Sequence, residues 1–131
     1  GEIVAGAVGA VEEHGVEVLL FGREEAIAAA LPDGGIPAGV TVVPCSEVIE
    51  MHDDPARSVR TRKDASVVRA AEAVRDGRAD AMVGAGNTGA TMASALLRYG
   101  RIAGIARPAI AVPRCCTLAT VTMLGSGSQS R

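Results

Sequence analysis

Aromatic residues are nearly missing from this sequence: Phe21 and Tyr99 stand alone among 131 residues, and there is no tryptophan. That excludes the stacking platforms of single-stranded nucleic-acid binders and the aromatic belts that flank membrane spans. Cysteine is scarce and odd in number (Cys45, Cys115, Cys116), with no C-x-x-C pair. Neither a disulfide framework nor a zinc site is expected, and a reducing cytoplasm is the default setting. No apolar run reaches the roughly 18 residues of a transmembrane helix, because charges interrupt each one. The chain opens Gly1-Glu2-Ile3, without the basic region and apolar core of a signal peptide, and the absent initiator Met points to a start further upstream.

Acidic residues are missing from the second half. All 15 lie between Glu2 and Asp80, where eight of the 13 bases leave a net −7; from Ala81 to Arg131 five arginines and no acid give +5. The total of −2 creates no general attraction to nucleic acid or to anionic membranes. An acid-free half is what an anion-binding segment looks like, and also what scattered surface arginines look like.

What is present is a single domain's worth of chain, 48% hydrophobic, in an alternating pattern. Ile3, Val4, Ala7, Val8 and Val11 recur at helical spacing and His14-Gly15 supplies a stop. Val16 to Phe21 reads as a strand buried on both faces, Glu24 to Leu31 as a helix, Pro32 to Gly35 as a loop and Val40 to Val43 as a second buried strand. Asp54-Pro55 starts a short helix; Asp64 is placed to cap another from Ala65, with Val67, Val68, Ala71 and Val74 as its core stripe and Gly77 as its stop. Ala81 to Val83 reads as a third strand, Gly84 to Gly89 as a turn, Ala90 to about Tyr99 as a helix and Ala109 to Val112 as a fourth strand. Such alternation predicts an α/β fold with an open, mostly parallel sheet and helices on both faces. There is no internal repeat. Thr117 to Leu124 is weakly strand-like, and the Gly/Ser/Gln end resembles a flexible tail.

Gly84-Ala-Gly-Asn-Thr-Gly89 formally matches G-x-G-x-x-G between a strand and a helix. Such glycines bring an anion to a helix N-terminus, where free N–H groups and the helix dipole favour negative charge. The acid that would hold a ribose some 20 residues on is missing, since no Asp or Glu follows Asp80. The surviving half of the motif suits a phosphate group or inorganic phosphate, with Gly86, Asn87, Thr88 and Gly89 as its cradle; otherwise the glycines merely allow close packing. A second cluster places Arg57, Arg60, Arg62 and Lys63 before a helix start at Asp64 to Ser66. Arg60, Lys63, Asp64 and Ser66 could converge on the same anion, although a charge run also suits a solvated face. His52 reads as a surface or capping residue, since no Ser or Cys nucleophile motif accompanies it.

Glu47-x-Ile49-x-Met51-x-Asp53-x-Pro55, Arg60-x-x-Lys63-Asp64-x-Ser66, Ala79-Asp80-Ala81, Ala85-Gly86-Asn87-Thr88-Gly89-Ala90 and Gly100-Arg101-Ile102-x-Gly104-Ile105-x-Arg107-Pro108-Ala109 together resemble the PlsX family, the phosphate acyltransferases of bacterial phospholipid synthesis, from about Glu2 to Pro113. The resemblance implies a three-layer fold like that of isocitrate and isopropylmalate dehydrogenases, here incomplete. It implies a reaction in which inorganic phosphate attacks the thioester of acyl-acyl carrier protein, with no metal or redox cofactor. A homodimer and peripheral membrane association are implied for the full-length family. The family's preceding strand and Asp-x-Met-Gly-Gly-Asp loop have no counterpart here, nor does its large second part, so catalytic residues cannot be carried over. Residue 84 is Gly where the family commonly has a small hydroxyl residue.

Residues 1–113 are therefore expected to form the α/β fragment and 114–131 a divergent tail. An unpaired sheet edge would make a chain this short weakly stable and nearly inactive alone. Two other readings keep the same fold: an enzyme binding a nucleotide or coenzyme A phosphate, like a dehydrogenase or phosphotransacetylase, and a non-catalytic assembly fragment.

Overall fold

The computed structural model describes residues 1–31 and 35–107. The strand expected at 109–112, the run 117–124, the tail 114–131 and most of the Pro32 loop lie outside them. Elements follow in the order α1 (Glu2–His14), β1 (Val18–Gly22), α2 (Glu24–Ala28), β2 (Val40–Pro44), α3 (Pro55–Thr61), α4 (Ser66–Arg75) and α5 (Thr88–Arg98). The fold is α/β, with a small parallel sheet and helices.

Strands β1 and β2 pair in parallel from Val18↔Val40 to Gly22↔Pro44, and a parallel pair needs a crossover, which α2 and its flanking loops supply. Helix α1 packs on both strands, α2 on β2 and α4 on β1. Val4 and Val8, one turn apart on α1, join Leu20, Ile27, Leu31 and Val40 in the first core cluster. Gly15 ends α1 in the left-handed region (φ 62°), its N–H donating to Val11 O.

The strands are not buried on both faces as expected. In β1 only Leu20 is buried, and in β2 Thr41 and Pro44 are exposed. The expected third strand at Ala81 to Val83 is absent, and Val83 is 92% exposed. A strand is defined by its neighbour's backbone, and among the described residues β1 and β2 pair only with each other. Helix α2 also stops at Ala28, short of Leu31.

The second cluster joins the remaining helices. Val59 of α3, Ala65, Val68 of α4 and Ala90 of α5 pack together, with Ile49, Val67 and Ala93 at its edge. Val59 and Val68 are fully excluded from solvent, each stabilising the fold by roughly 1.5–3 kcal/mol relative to exposure. On α4, Val68, Ala71 and Ala73 are buried, while Val74 is only half-buried. Helices α4 and α5 pack together and run in the same direction: Ala65 and Ala90, at their N-terminal ends, belong to this one cluster, while Glu72 Oε1 and Arg98 Nε lie 3.4 Å apart further along. No helix among the described residues is long and apolar enough to cross a membrane.

Candidate functional site

Three loops gather where α4 and α5 begin: 45–54 beyond the C-terminal end of β2, 62–65 before α4 and 84–87 before α5. The C-terminal ends of parallel strands are where open α/β folds bind ligands.

Asp64 ties the first two loops together. Its Oδ2 accepts from Ser46 N–H at 2.8 Å and from Ser46 Oγ at 2.6 Å, and its Oδ1 from Arg69 at 2.9 Å. Its own N–H donates to Glu47 Oε2 at 2.9 Å. The bonds from Ser46, then the Arg69 charge, hold its carboxyl below the ordinary carboxylate range. The sequence placed Asp64 as the cap of α4. The observed N-cap is Ala65, with no side-chain cap, because Asp64 is taken by a partner 18 residues away.

A second fork lies alongside. Arg62 donates to both carboxylate oxygens of Asp53, at 2.6 and 3.1 Å, and also to Val48 O. Asp53 Oδ2 accepts from Glu50 N–H at 2.7 Å, and that bond, then Arg62, lowers its pKa. Asp54 caps α3 as expected, its Oδ1 accepting Arg57 N–H at 2.7 Å, with Pro55 in the first turn.

Asn87 connects the third loop. Its Oδ1 caps α5 by accepting Ala90 N–H at 3.0 Å, which starts the helix at Thr88 rather than at Ala90. Its Nδ2 donates to Glu50 O at 3.1 Å and Met51 O at 3.4 Å. The Thr88 and Gly89 N–H groups precede the first intrahelical bond, Thr91 N–H to Asn87 O. Gly86 faces open space, whereas a Cβ on Gly89 would lie 2.8 Å from Pro55 Cγ.

The residues singled out from the sequence thus separate by role. Gly86 lies in the loop just before α5, Thr88 and Gly89 open the helix, and Ser66 opens α4. Lys63 is exposed in the turn before α4, with no side-chain partner among the described residues. Asp64 and Asn87 have their side chains engaged within the protein. Arg60 shares the outward face of α3 with Arg57, opposite Ser58 and Val59, which are buried. His52 is exposed in the 45–54 loop.

Ser46 and Arg69 were not singled out in the sequence, and Cys45 only as one of three cysteines. Their signal was position, just past a strand end for Cys45 and Ser46 and one turn into α4 for Arg69. Cys45 is buried; burial, then the Asp64 charge, pushes its thiol pKa up.

A family model described as "Fatty acid synthesis protein" matches residues 1–128, past the boundary expected at Pro113. A phosphate acyltransferase of Desulfitobacterium hafniense is 50% identical over 109 residues, 83% of this chain and 33% of the relative. One of Nostoc punctiforme is 52% identical over 110 residues, 84% of this chain and 32% of the relative. One of Elusimicrobium minutum is 43% identical over 129 residues, 97% of this chain and 38% of the relative. The chain spans about a third of the length of the curated relatives it matches.

Proposed function

The chain belongs to the fatty acid synthesis protein family, and from that premise we propose that it is part of a phosphate acyltransferase whose share of the site holds inorganic phosphate. The observation that carries this reading is the parallel α4/α5 pair with both N-termini at one end. Two helix dipoles present their positive ends there, the Thr88 and Gly89 N–H groups lack intrahelical partners, and Lys63 and Ser66 stand beside them. The names of the relatives support the same chemistry.

In the proposed reaction a phosphate oxygen attacks the thioester carbonyl of acyl-acyl carrier protein. A C–O bond forms, the C–S bond breaks, and the carrier thiolate leaves and takes up a proton, giving acyl phosphate. Holding phosphate partly desolvated and aimed is the loops' contribution, since positioning and preorganised N–H donors lower the barrier to acyl transfer. A cytoplasmic homodimer that touches the membrane peripherally is part of the same reading.

Thermal shift tests it against nucleotide binding. Phosphate is expected to raise the unfolding temperature of the chain, and NAD, ATP or coenzyme A to raise it no more than phosphate does. A larger shift with any of the three would replace this reading with a nucleotide or coenzyme site.

A further inference from the structure

Four cations stand in the run before α4, and one of them is not free to meet an anion. Arg57, Arg60 and Lys63 are exposed, whereas Arg62 is partly buried and spends its guanidinium on Asp53, at 2.6 and 3.1 Å, and on Val48 O. Asp53 closes a turn with Glu50: its Oδ2 accepts Glu50 N–H at 2.7 Å, and its own N–H donates to Glu50 O at 3.2 Å. That same Glu50 carbonyl receives Asn87 Nδ2 at 3.1 Å, and Asn87 Oδ1 accepts Ala90 N–H at the start of α5. Hydrogen bonds therefore run without a break from Arg62 to the first turn of α5. Little else fixes the 48–53 segment. Ile49 packs at the edge of the second cluster, while Val48, Glu50, Met51 and His52 are exposed.

We infer that Arg62 is a positioning residue for the anion end of α5 and not an anion ligand. Without its fork, the Glu50–Asp53 turn loses the group that ties it to the start of α4. The Glu50 and Met51 carbonyls then drift from Asn87 Nδ2, and Asn87 leaves the orientation in which it caps α5 beneath the Thr88 and Gly89 N–H groups. A planar guanidinium suits this task, since it holds both carboxylate oxygens and a carbonyl in one fixed geometry that an ammonium does not reproduce. The inference rests on the proposed phosphate site for the identity of the ligand. Its consequence is opposite in sign to simple electrostatics. Removing the Asp53 carboxylate takes negative charge from the surroundings of an anion and frees a guanidinium, so a site governed by charge, or by Arg62 as a ligand, would bind phosphate more tightly in Asp53→Ala. If Arg62 acts through Asp53, the same substitution weakens binding.

The test is calorimetric titration of the folded chain with inorganic phosphate, with hydrogen exchange at the Ala90 amide read alongside. Arg62→Ala and Asp53→Ala are each expected to weaken phosphate binding about threefold or more, and the double variant to lose no more than the worse single, because both cut one path. Exchange at Ala90, which neither side chain touches, should quicken in both variants relative to the amides of β1. Where an alanine variant does not fold, Arg62→Lys and Asp53→Asn are read in the same way, since Lys keeps the charge without the fork and Asn keeps the shape without the charge. Affinity within about twofold of wild type, tighter binding in Asp53→Ala, or unchanged exchange at Ala90 overturns the positioning role while the phosphate site stands. Absence of phosphate binding to the folded wild type overturns both.

Discussion

Gly89 and Pro55 touch because residue 89 has no side chain: a Cβ there would stand 2.8 Å from Pro55 Cγ. Through this contact the first turns of α3 and α5 meet. Elsewhere in a helix, Gly→Ala gains roughly 0.5–1 kcal/mol, so the sign of the effect is informative. Gly89→Ala is expected to destabilise by about 1–3 kcal/mol through overpacking, read as a lower urea midpoint at unchanged m-value. A variant as stable as wild type would show that the two helices do not meet.

Asn87 does two jobs that two substitutions separate. Asn87→Ala loses the cap, costing about 1 kcal/mol, together with the bonds to the Glu50 and Met51 carbonyls. Asn87→Asp keeps an acceptor for Ala90 N–H but turns an oxygen toward those carbonyls. Hydrogen exchange at Ala90 should therefore accelerate only in Asn87→Ala, and at Asp53, whose N–H donates to the same Glu50 carbonyl at 3.2 Å, in both variants.

Acid should loosen the loops. Asp53 and Asp64 have folded-state pKa values lowered below 3.8, so their stabilisation is present above about pH 4 and is lost as pH falls through the lowered values. Thermal unfolding temperature is expected to drop as pH falls below about 4, and Asp64→Asn to flatten that drop while lowering stability at pH 7. An identical acid profile in the variant would remove Asp64 from the network.

Gly84 meets α5 at Thr91, whose Oγ1 would lie 2.6 Å from an added Cβ. Gly84→Ala is expected to destabilise, and Thr91→Ala to relieve part of that cost, so the double variant loses less than the two singles together. Strict additivity in urea denaturation would deny the contact.

Local signals were legible in the sequence. The start of α3, the stop of α1 at Gly15 and the two paired strands follow from capping, glycine placement and periodicity. What escaped depended on distant partners. Asp64 looked like a cap because Ser46 lies 18 residues away in the chain, and Asn87 looked like a donor to an anion because the 50–51 carbonyls lie far back in sequence. Ala81 to Val83 looked like a strand because apolar runs do not reveal whether a neighbour pairs with them. Arg60 and Lys63 were grouped by proximity in sequence, and the end of α3 at Thr61 divides them: Arg60 lies on the outward face of α3 with Arg57, and Lys63 in the turn before α4.

The most direct measurement is calorimetric titration of the folded chain with inorganic phosphate, comparing wild type with Lys63→Ala. Lys63 has no side-chain partner among the described residues, so its loss should leave the fold intact. The account predicts single-site binding that Lys63→Ala weakens about tenfold or more, the loss expected of a charge-assisted hydrogen bond. No binding in a sample shown to be folded, or equal affinity in the two proteins, would contradict a phosphate site at the shared N-terminal end of α4 and α5.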